Sequence, residues 1–421
     1  MTEMNLRQRS ETTDEVDMTD YKEYLDDSYD YETDTLNTEK AKKIAEQKKE
    51  KFNIILLGAT GTGKSTLVNA VFGENIAKSG VGKPVTQHLE KINVPAKGLV
   101  LWDTKGIEAK DYQETVSQLE KEISASFDEA SHVDDIPHLG WLCIDSGSGR
   151  FEGRDFDLIK IFKMWNIPIV VVFTKMLGDD SCLFIDSVKE YINRSDYCDY
   201  INERYAGVNS VERKISGSLK IPVSGLDELL EMSFKCLQEG REDAEQSLKA
   251  AKVLKALETF KKAQIVKKGI RLEAMKKGAK KIVHVAAVAA GSVGATPIPG
   301  SDAPLIAAVQ STMIYKINAE FELDASDSKI TSVVGGILGV TAIAQVGKTI
   351  VANALKCIPG VGSIIGGAIS ATTAVALTEA VGHAYIKVLI FYYNNETGYV
   401  ELPENIKSIL GVFKDNFSYN K

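Results

Sequence analysis

Phe52-Asn-Ile-Ile-Leu-Leu-Gly-Ala-Thr-Gly-Thr-Gly-Lys-Ser-Thr66 is the stretch whose reading decides the fold. The apolar run Phe52 to Leu57 stops at Gly58, and Gly58, Gly63, Lys64 and Ser65 then spell G-x-x-x-x-G-K-S. Beyond them Leu67, Val68, Ala70, Val71 and Phe72 follow a helical pattern. Strand, glycine loop and helix in that order are the context a phosphate-binding loop requires. Across Gly58, Ala59, Thr60, Gly61, Thr62 and Gly63, the glycines let backbone N–H groups converge on an anion, and the helix N-terminus adds its positive end. Lys64 is expected to reach the β- and γ-phosphates and the Ser65 hydroxyl to ligate Mg²⁺, with Thr66 the next residue of the nucleotide-binding loop. A glycine-rich turn with an exposed Lys64 is the bland alternative, and it leaves the flanking strand and helix unexplained.

Working outward, Ser79 to Thr86 has two glycines and little periodicity, which reads as a loop. Thr86 is its hydroxyl nearest the following strand, Leu89 to Val94, and is placed to close on Mg²⁺ and the γ-phosphate. Leu99 to Trp102 reads as a buried strand that ends in Asp103-Thr104-Lys105-Gly106. An aspartate at a strand's end beside the phosphate loop can hold Mg²⁺ through water, and the Gly106 N–H can approach the γ-phosphate. Strands are also expected at Gly140 to Asp145, at Ile167 to Phe173 running into Thr174-Lys175, and at Leu219 to Val223 running into Ser224-Gly225. A polar helix and loop are expected over 108–131, and helices at Phe156 to Trp165 and Leu226 to Leu237. This alternation predicts an α/β doubly wound, mostly parallel sheet with ligand loops at the strands' C-terminal ends, followed by an all-α domain.

These spaced elements, GATGTGKS, Thr86, DTKG and Thr174-Lys175, with Ser224-Gly225 as a softer fifth, resemble a P-loop GTPase domain of the Era-like, translation-factor-related superfamily over residues 50–238. The resemblance implies GTP and GDP with Mg²⁺ as ligands. It puts Thr174-Lys175 where N/T-K-x-D meets guanine, and Ser224-Gly225 where backbone N–H groups meet the base's O6. Lys64, Thr86 and Gly106 would carry the catalysis. Ser65, Thr86 and Asp103 would hold the metal. Three departures stand out. Leu177 occupies the register of the base-reading acid, with acids only at Asp179 and Asp180; Ile107 follows the DTKG glycine, where an apolar side chain cannot orient a water; and Gly61 replaces the asparagine that helps many relatives bind potassium. Slow or partner-assisted hydrolysis follows.

Residues 242–421 resemble an uncharacterised helical domain that accompanies such GTPase domains in bacteria and is described as membrane-associated; the matching stretch is Gly294 to Gln310 with the Gly/Ala-rich helices after it. Read on its own, 243–281 is one long helical pattern crowded with lysines from Lys261 to Lys281. A basic amphipathic helix of that kind lies on an anionic membrane or solvates a packed face. Ile282 to Ser301, Thr331 to Gly347 and Cys357 to Thr378 lack Asp, Glu, Lys and Arg, and the last contains Gly362-x-x-x-Gly366. Small residues dilute their apolar character, so a compact bundle that touches membrane through 261–393 is favoured over a permanent span. Glu379, His383 and Lys387, four residues apart, read as a polar stripe.

Charge is uneven. Residues 1–40 hold thirteen acidic and four basic residues, whereas the whole chain of 421 carries a net −8. Residues 1–49 are therefore expected to be an acidic tail, disordered over 1–40, and a charged, helix-prone linker from 39 on, and the near-neutral remainder gives no reason to expect nucleic acid. Five scattered cysteines without a C-x-x-C, and an acidic start without an apolar run, point to a reducing, cytoplasmic setting, peripheral or integral at the cytoplasmic membrane if the helical half inserts. The expected function is a GTP-binding switch acting on a helical membrane- or partner-binding domain. The alternatives are a membrane-assembling, homodimerising GTPase of the immunity-related or dynamin-like kind, and a non-hydrolysing scaffold.

Overall fold

The computed structural model describes residues 20–47, 49–73, 76, 81–84, 89–104, 112–128, 136–148, 150–176, 179–216, 219–242, 248–293, 302–324, 327–346 and 371–418. Thr86, Gly106, Ile107 and Leu177 lie outside the described residues, as do residues 1–19, 294–301 and 347–370 of the expected tail and apolar stretches. The chain divides into two compact units: residues 49–274 with 396–398, and residues 1–48, 275–395 and 399–421.

The second of these units begins with α1 (Tyr21–Leu25), a short hairpin of β1 (Tyr29–Asp30) and β2 (Thr35–Leu36), and α2 (Thr38–Gln47). While α2 falls in the charged stretch read as helix-prone, the expectation of disorder is corrected for residues 20–37. Its physical reason is aromatic: Tyr21, Tyr24, Leu25 and Tyr29 are buried, and the side chain of Lys316 sits 3.6 Å over the Tyr24 ring. An acid-rich composition hid an apolar anchor spaced along one short segment. Burial pushes the Tyr24 hydroxyl well above its ordinary range, and the hydroxyl has no hydrogen-bond partner among the described residues. A buried, unpaired hydroxyl is a cost, so Tyr24→Phe is expected to leave the melting temperature unchanged or raise stability by up to about 1 kcal/mol. Calorimetry of the two proteins measures it, and a loss beyond 1 kcal/mol would mean that the hydroxyl is paired.

The other unit is built on β3 (Phe52–Leu57), with α3 (Lys64–Phe72) following the glycine loop. The chain continues through β4 (Val81–Pro84), β5 (Leu89–Val94), β6 (Leu99–Thr104), α4 (Tyr112–Asp128), β7 (Leu139–Asp145), α5 (Gly153–Met164), β8 (Ile169–Thr174), α6 (Asp179–Asn193), α7 (Cys198–Ile201) and β9 (Tyr205–Gly207). These strands form one sheet in the order β4-β5-β6-β3-β7-β8-β9, parallel from β6 to β9 and antiparallel at β4 and β5. Every residue of β3 and β8 is buried, as a central strand covered on both faces demands. Strand alternation splits them: Phe52, Ile54 and Leu56 join Trp141, Val170 and Val172 in one core, and Ile55 and Leu57 join Trp102, Leu142, Val171 and Phe173 in the other.

β10 (Arg213–Ser216) and β11 (Leu219–Ile221) form a separate two-stranded hairpin, so the strand expected at Leu219 to Val223 is not part of the central sheet. The edge strand is β9, three residues long. After α8 (Leu226–Glu242), the helix expected to run unbroken over 243–281 is two helices, α9 (Leu248–Ala263) and α10 (Lys268–Val293). Gln264 makes the break tolerable. Its amide N–H donates to the Lys261 and Lys267 carbonyls at 3.2 and 3.0 Å, and its Oε1 accepts the Lys267 N–H at 2.8 Å. α9 covers the sheet: Phe260 stacks on Phe52 with ring centroids 4.6 Å apart and joins the core that holds Trp141. The sheet-containing unit thus includes α9, whose apolar face is used within it. Lysines 268, 276, 277 and 281 each engage another group.

The helical unit continues with α11 (Asp302–Glu320), α12 (Ser328–Val346), α13 (Ala371–Phe391) and α14 (Ile406–Ser418). Small residues let its helices approach: a Cβ on Gly382 would lie 2.4 Å from the Val283 side chain, and one on Gly336 would lie 2.7 Å from Leu410. α13 is long and apolar enough to cross a bilayer, but 61% of its most apolar window is buried within the fold. Glu379 accepts from His383 Nε2 at 2.9 Å and pairs with His284 Nδ1 at 3.2 Å; these imidazoles hold its carboxyl below the usual range, in keeping with a polar stripe.

Candidate nucleotide site

The site gathers at the C-terminal ends of β3, β6, β8 and β9, where parallel strands leave a crevice. Gly58 opens the loop with φ +148°, and a Cβ there would lie 2.4 Å from the Cys143 carbonyl oxygen, so only glycine lets the loop leave the sheet this closely. Gly63 has φ +94° and precedes α3. Lys64, the first residue of α3, is buried; its amine donates to the Gly58 carbonyl at 3.0 Å and lies 3.4 Å from the Ala59 carbonyl. Thr62 is buried, and its hydroxyl donates to the Ala59 carbonyl at 2.9 Å.

A cavity of about 420 Å³ opens over this loop, within the size of small-molecule sites. Of the expected residues, Thr60, Gly61, Gly63, Lys64, Ser65, Thr66, Asp103, Thr174 and Lys175 line it. Gly58, Ala59 and Thr62 hold the loop in shape without lining the cavity. Asp103 is near the end of β6. Burial raises its carboxyl above the ordinary aspartate range, with Glu90 adding to the rise and Lys64 opposing it. Its Oδ1 is buried and has no hydrogen-bond partner among the described residues. The neighbouring Thr104 donates its hydroxyl to the Leu56 carbonyl at 2.9 Å, tying β6 to β3.

Thr174 and Lys175 end β8. The Thr174 hydroxyl lies 2.5 Å from the Thr62 carbonyl and 3.2 Å from the Ile144 carbonyl, fixing the phosphate loop to the neighbouring strands. Lys175 has φ +57°, and its amine pairs with Asp145 Oδ2 at 2.5 Å. Ser224 and Gly225 are not among the residues that line the cavity; β11 leads to them, and β11 is outside the sheet. The residues leaving the true edge strand line it instead, namely Asn209, Ser210, Val211 and Arg213. The sequence signal for them was the short run Tyr205 to Val208 ending in Asn-Ser. Ser224 contributes only by pairing, through both its backbone groups, with Asn209 at 3.0 Å. Asp179 and Asp180 open α6.

A glycine loop after the central strand of such a sheet, a buried lysine starting the next helix and an aspartate on the adjoining strand define a P-loop nucleotide-binding fold. Residues 53–175 match the family model described as "50S ribosome-binding GTPase", and this part of the chain is a P-loop GTPase domain. Over 84 residues, 18% of this chain, it is 33% identical to small ribosomal subunit biogenesis GTPase RsgA 1 of Oceanobacillus iheyensis, and it spans 24% of that relative's length. Among solved structures, it is similar to translation elongation factor SelB from Methanococcus maripaludis in its apo form (16% identity, 38% of this chain and 30% of that one, TM-score 0.26). It is similar also to an Aquifex aeolicus Era variant bound to GDP·AlF4− (19% identity, 42% and 54%, TM-score 0.28). A third is an S. thermophilus NFeoB variant bound to GDP (12% identity, 72% and 94%, TM-score 0.27).

Proposed function

We propose that the cavity binds GTP and, after slow hydrolysis, GDP, and that the nucleotide state is relayed to the helical unit as a switch. The observation that carries this reading is the Lys64 amine, buried across the mouth of the glycine loop on the Gly58 and Ala59 carbonyls. An ammonium held there is preorganised to meet a β- or γ-phosphate oxygen, and such preorganisation is where catalytic stabilisation comes from. In-line attack by water on the γ-phosphate would develop charge on oxygens facing Lys64. Ile107 in the sequence leaves that water without an orienting side chain, hence the slow rate.

The residues fit a hard divalent cation. Asp103 offers a buried carboxylate oxygen with no partner among the described residues, and the Ser65 hydroxyl is exposed at the cavity. Ser65 and Asp103 would hold Mg²⁺, which when bound supplies charge neutralisation on the phosphates. The sequence adds Thr86 to that set.

A pH dependence follows. The Asp103 carboxyl titrates above its unfolded value, so its ionised form costs the empty domain stability above the raised pKa, and that cost is gone below the unfolded one. A cation needs the ionised form. Magnesium-dependent affinity for mant-GDP is therefore expected to fall as pH is lowered through the raised pKa, and the part of that fall due to Asp103 is absent in Asp103→Asn. At pH 7.5 the variant should bind Mg²⁺-nucleotide about tenfold more weakly, and metal-free nucleotide equally. Parallel pH curves for the two proteins would remove Asp103 from the site.

The helical unit is the proposed responder, its contact being a partner or a membrane surface in the cytoplasm. Flotation of the full chain with anionic liposomes in GTP, in GDP and without nucleotide tests it. Equal flotation in all three would argue against a nucleotide-controlled membrane contact.

A further inference from the structure

The groups that the family pattern offers to a guanine ring are absent or already committed in this chain. Leu177 takes the place of the acid. The one hydroxyl proton of Thr174 is spent on a carbonyl, Thr62 O at 2.5 Å or Ile144 O at 3.2 Å. The Lys175 amine is paired with Asp145. Something else must hold the base if the cavity takes a guanine nucleotide.

Strand order gives the direction in which to look. A triphosphate on Gly61 to Ser65 with its metal on Asp103 would put its γ end toward β6, to one side of β3. The base would then point the other way, toward the exits of β8 and β9. That end of the cavity holds Arg213, the first residue of β10. The Arg213 side chain makes no hydrogen bond or ion pair to any described residue, and its neighbour Glu212 is taken by Lys220 at 2.7 Å. Its platform is pinned. Asn209 and Ser224 exchange two backbone hydrogen bonds of 3.0 Å, and the Asn209 amide donates to the Pro222 carbonyl at 2.7 Å. Both ends of the inserted hairpin are thus fastened beside the sheet, and a half-buried guanidinium is offered from a fixed base.

Guanine presents two adjacent acceptors, O6 and N7, whereas adenine presents an acceptor at N7 and a donor at N6. A guanidinium donates two parallel bonds to the first and meets a clash of donors on the second. We propose that Arg213 is the specificity-determining residue of this site, reading guanine through its O6 and N7 edge in place of the missing acid; this rests on the reading of the cavity as a guanine-nucleotide site. The consequence is chemical. The 2-amino group is not read, so a hypoxanthine base, which lacks it and keeps O6 and N7, is accepted as guanine is.

The test is displacement of mant-GDP from the full chain by GDP, IDP, 7-deaza-GDP and ADP, for wild type, Arg213→Ala and Arg213→Lys, with melting temperatures as a folding control. Wild type should bind IDP within about threefold of GDP, and 7-deaza-GDP and ADP about tenfold or more below it. Arg213→Ala should bring GDP, 7-deaza-GDP and ADP together, with Arg213→Lys intermediate because a point charge lacks the fork. IDP binding tenfold weaker than GDP would mean that a carboxylate reads the amine, and it would overturn the proposal, as would an unchanged GDP-to-ADP ratio in Arg213→Ala. Should wild type bind no nucleotide at all, the guanine-nucleotide reading itself falls, which is a different result from bound nucleotide with an unaffected ratio.

Discussion

Lys64→Ala is expected to weaken GTP affinity by about 100-fold while leaving the empty domain folded. Charge-assisted hydrogen bonds contribute about 1.5–3 kcal/mol each, and this amine sits where more than one phosphate oxygen can be reached. In the structure the same amine is buried on the Gly58 and Ala59 carbonyls. Desolvating a charge opposes what those two contacts supply, so its removal should change stability by only about 1 kcal/mol in either direction. Titration of mant-GTP and mant-ATP against both proteins, with melting curves alongside, separates the two effects. Equal GTP binding by wild type and Lys64→Ala at equal stability would remove the loop from the site. Tighter binding of ATP than of GTP by wild type would leave the loop in place and sink the guanine claim only.

The phosphate loop was legible because it is local. Eight consecutive residues carry their own backbone chemistry, and the buried run before them and the helix after them sit within one contiguous stretch. β6 and β8 were legible for a related reason: fully buried strands are nearly unbroken apolar runs, and their polar exits, Asp103 and Thr174-Lys175, mark where they stop. The base end was not legible. β9 is three residues, Tyr205 to Gly207, of which only Ala206 is fully buried, and it leaves no run to detect. Leu219 to Val223 has the better strand pattern and a serine and glycine behind it, but it pairs only within its own hairpin. An insertion between a strand and its helix thus moved the apparent exit by about one hairpin length.

Two other departures share a cause: an amphipathic pattern announces a buried face and not what covers it. In α9, Ala256, Leu257, Phe260 and Ala263 lie on one face, and beside the lysines at its end they invited a membrane reading; the sheet covers them. In residues 20–37 the acidic composition argued for solvent, while Tyr21, Tyr24, Leu25 and Tyr29 carried enough apolar area to fasten the segment. Full burial of one such side chain contributes about 1.5–3 kcal/mol, so four outweigh a composition average. The break at Gln264 had no glycine or proline to mark it; a side-chain amide satisfies the backbone there.

Gly225→Ala is expected to cost the GTPase domain more than 3 kcal/mol. Gly225 has φ +75°, which by itself penalises a Cβ by about 1 kcal/mol. The larger part is contact. A Cβ would fall 1.8 Å from the Gly207 carbonyl oxygen and 2.9 Å from its carbon, both of them backbone of the edge strand. No rotamer change relieves this; α8 must move away from β9, and its first turn, where the Leu229 N–H donates to the Gly225 carbonyl at 3.1 Å, moves with it. In a unit of this size each kcal/mol lowers the melting temperature by about 2–4 °C, so a fall of about 6–12 °C is the expected reading. The adjoining Asn209–Ser224 pair, which fastens the hairpin carrying Arg213, should loosen too, and GDP affinity should drop even below the melting temperature. Gly269→Ala is the comparison. It lies in the first turn of α10 with nothing within 4 Å of the added Cβ, and helix propensity there favours alanine by up to about 1 kcal/mol. A Gly225→Ala protein melting within 2 °C of wild type would mean that β9 and the start of α8 do not approach as described.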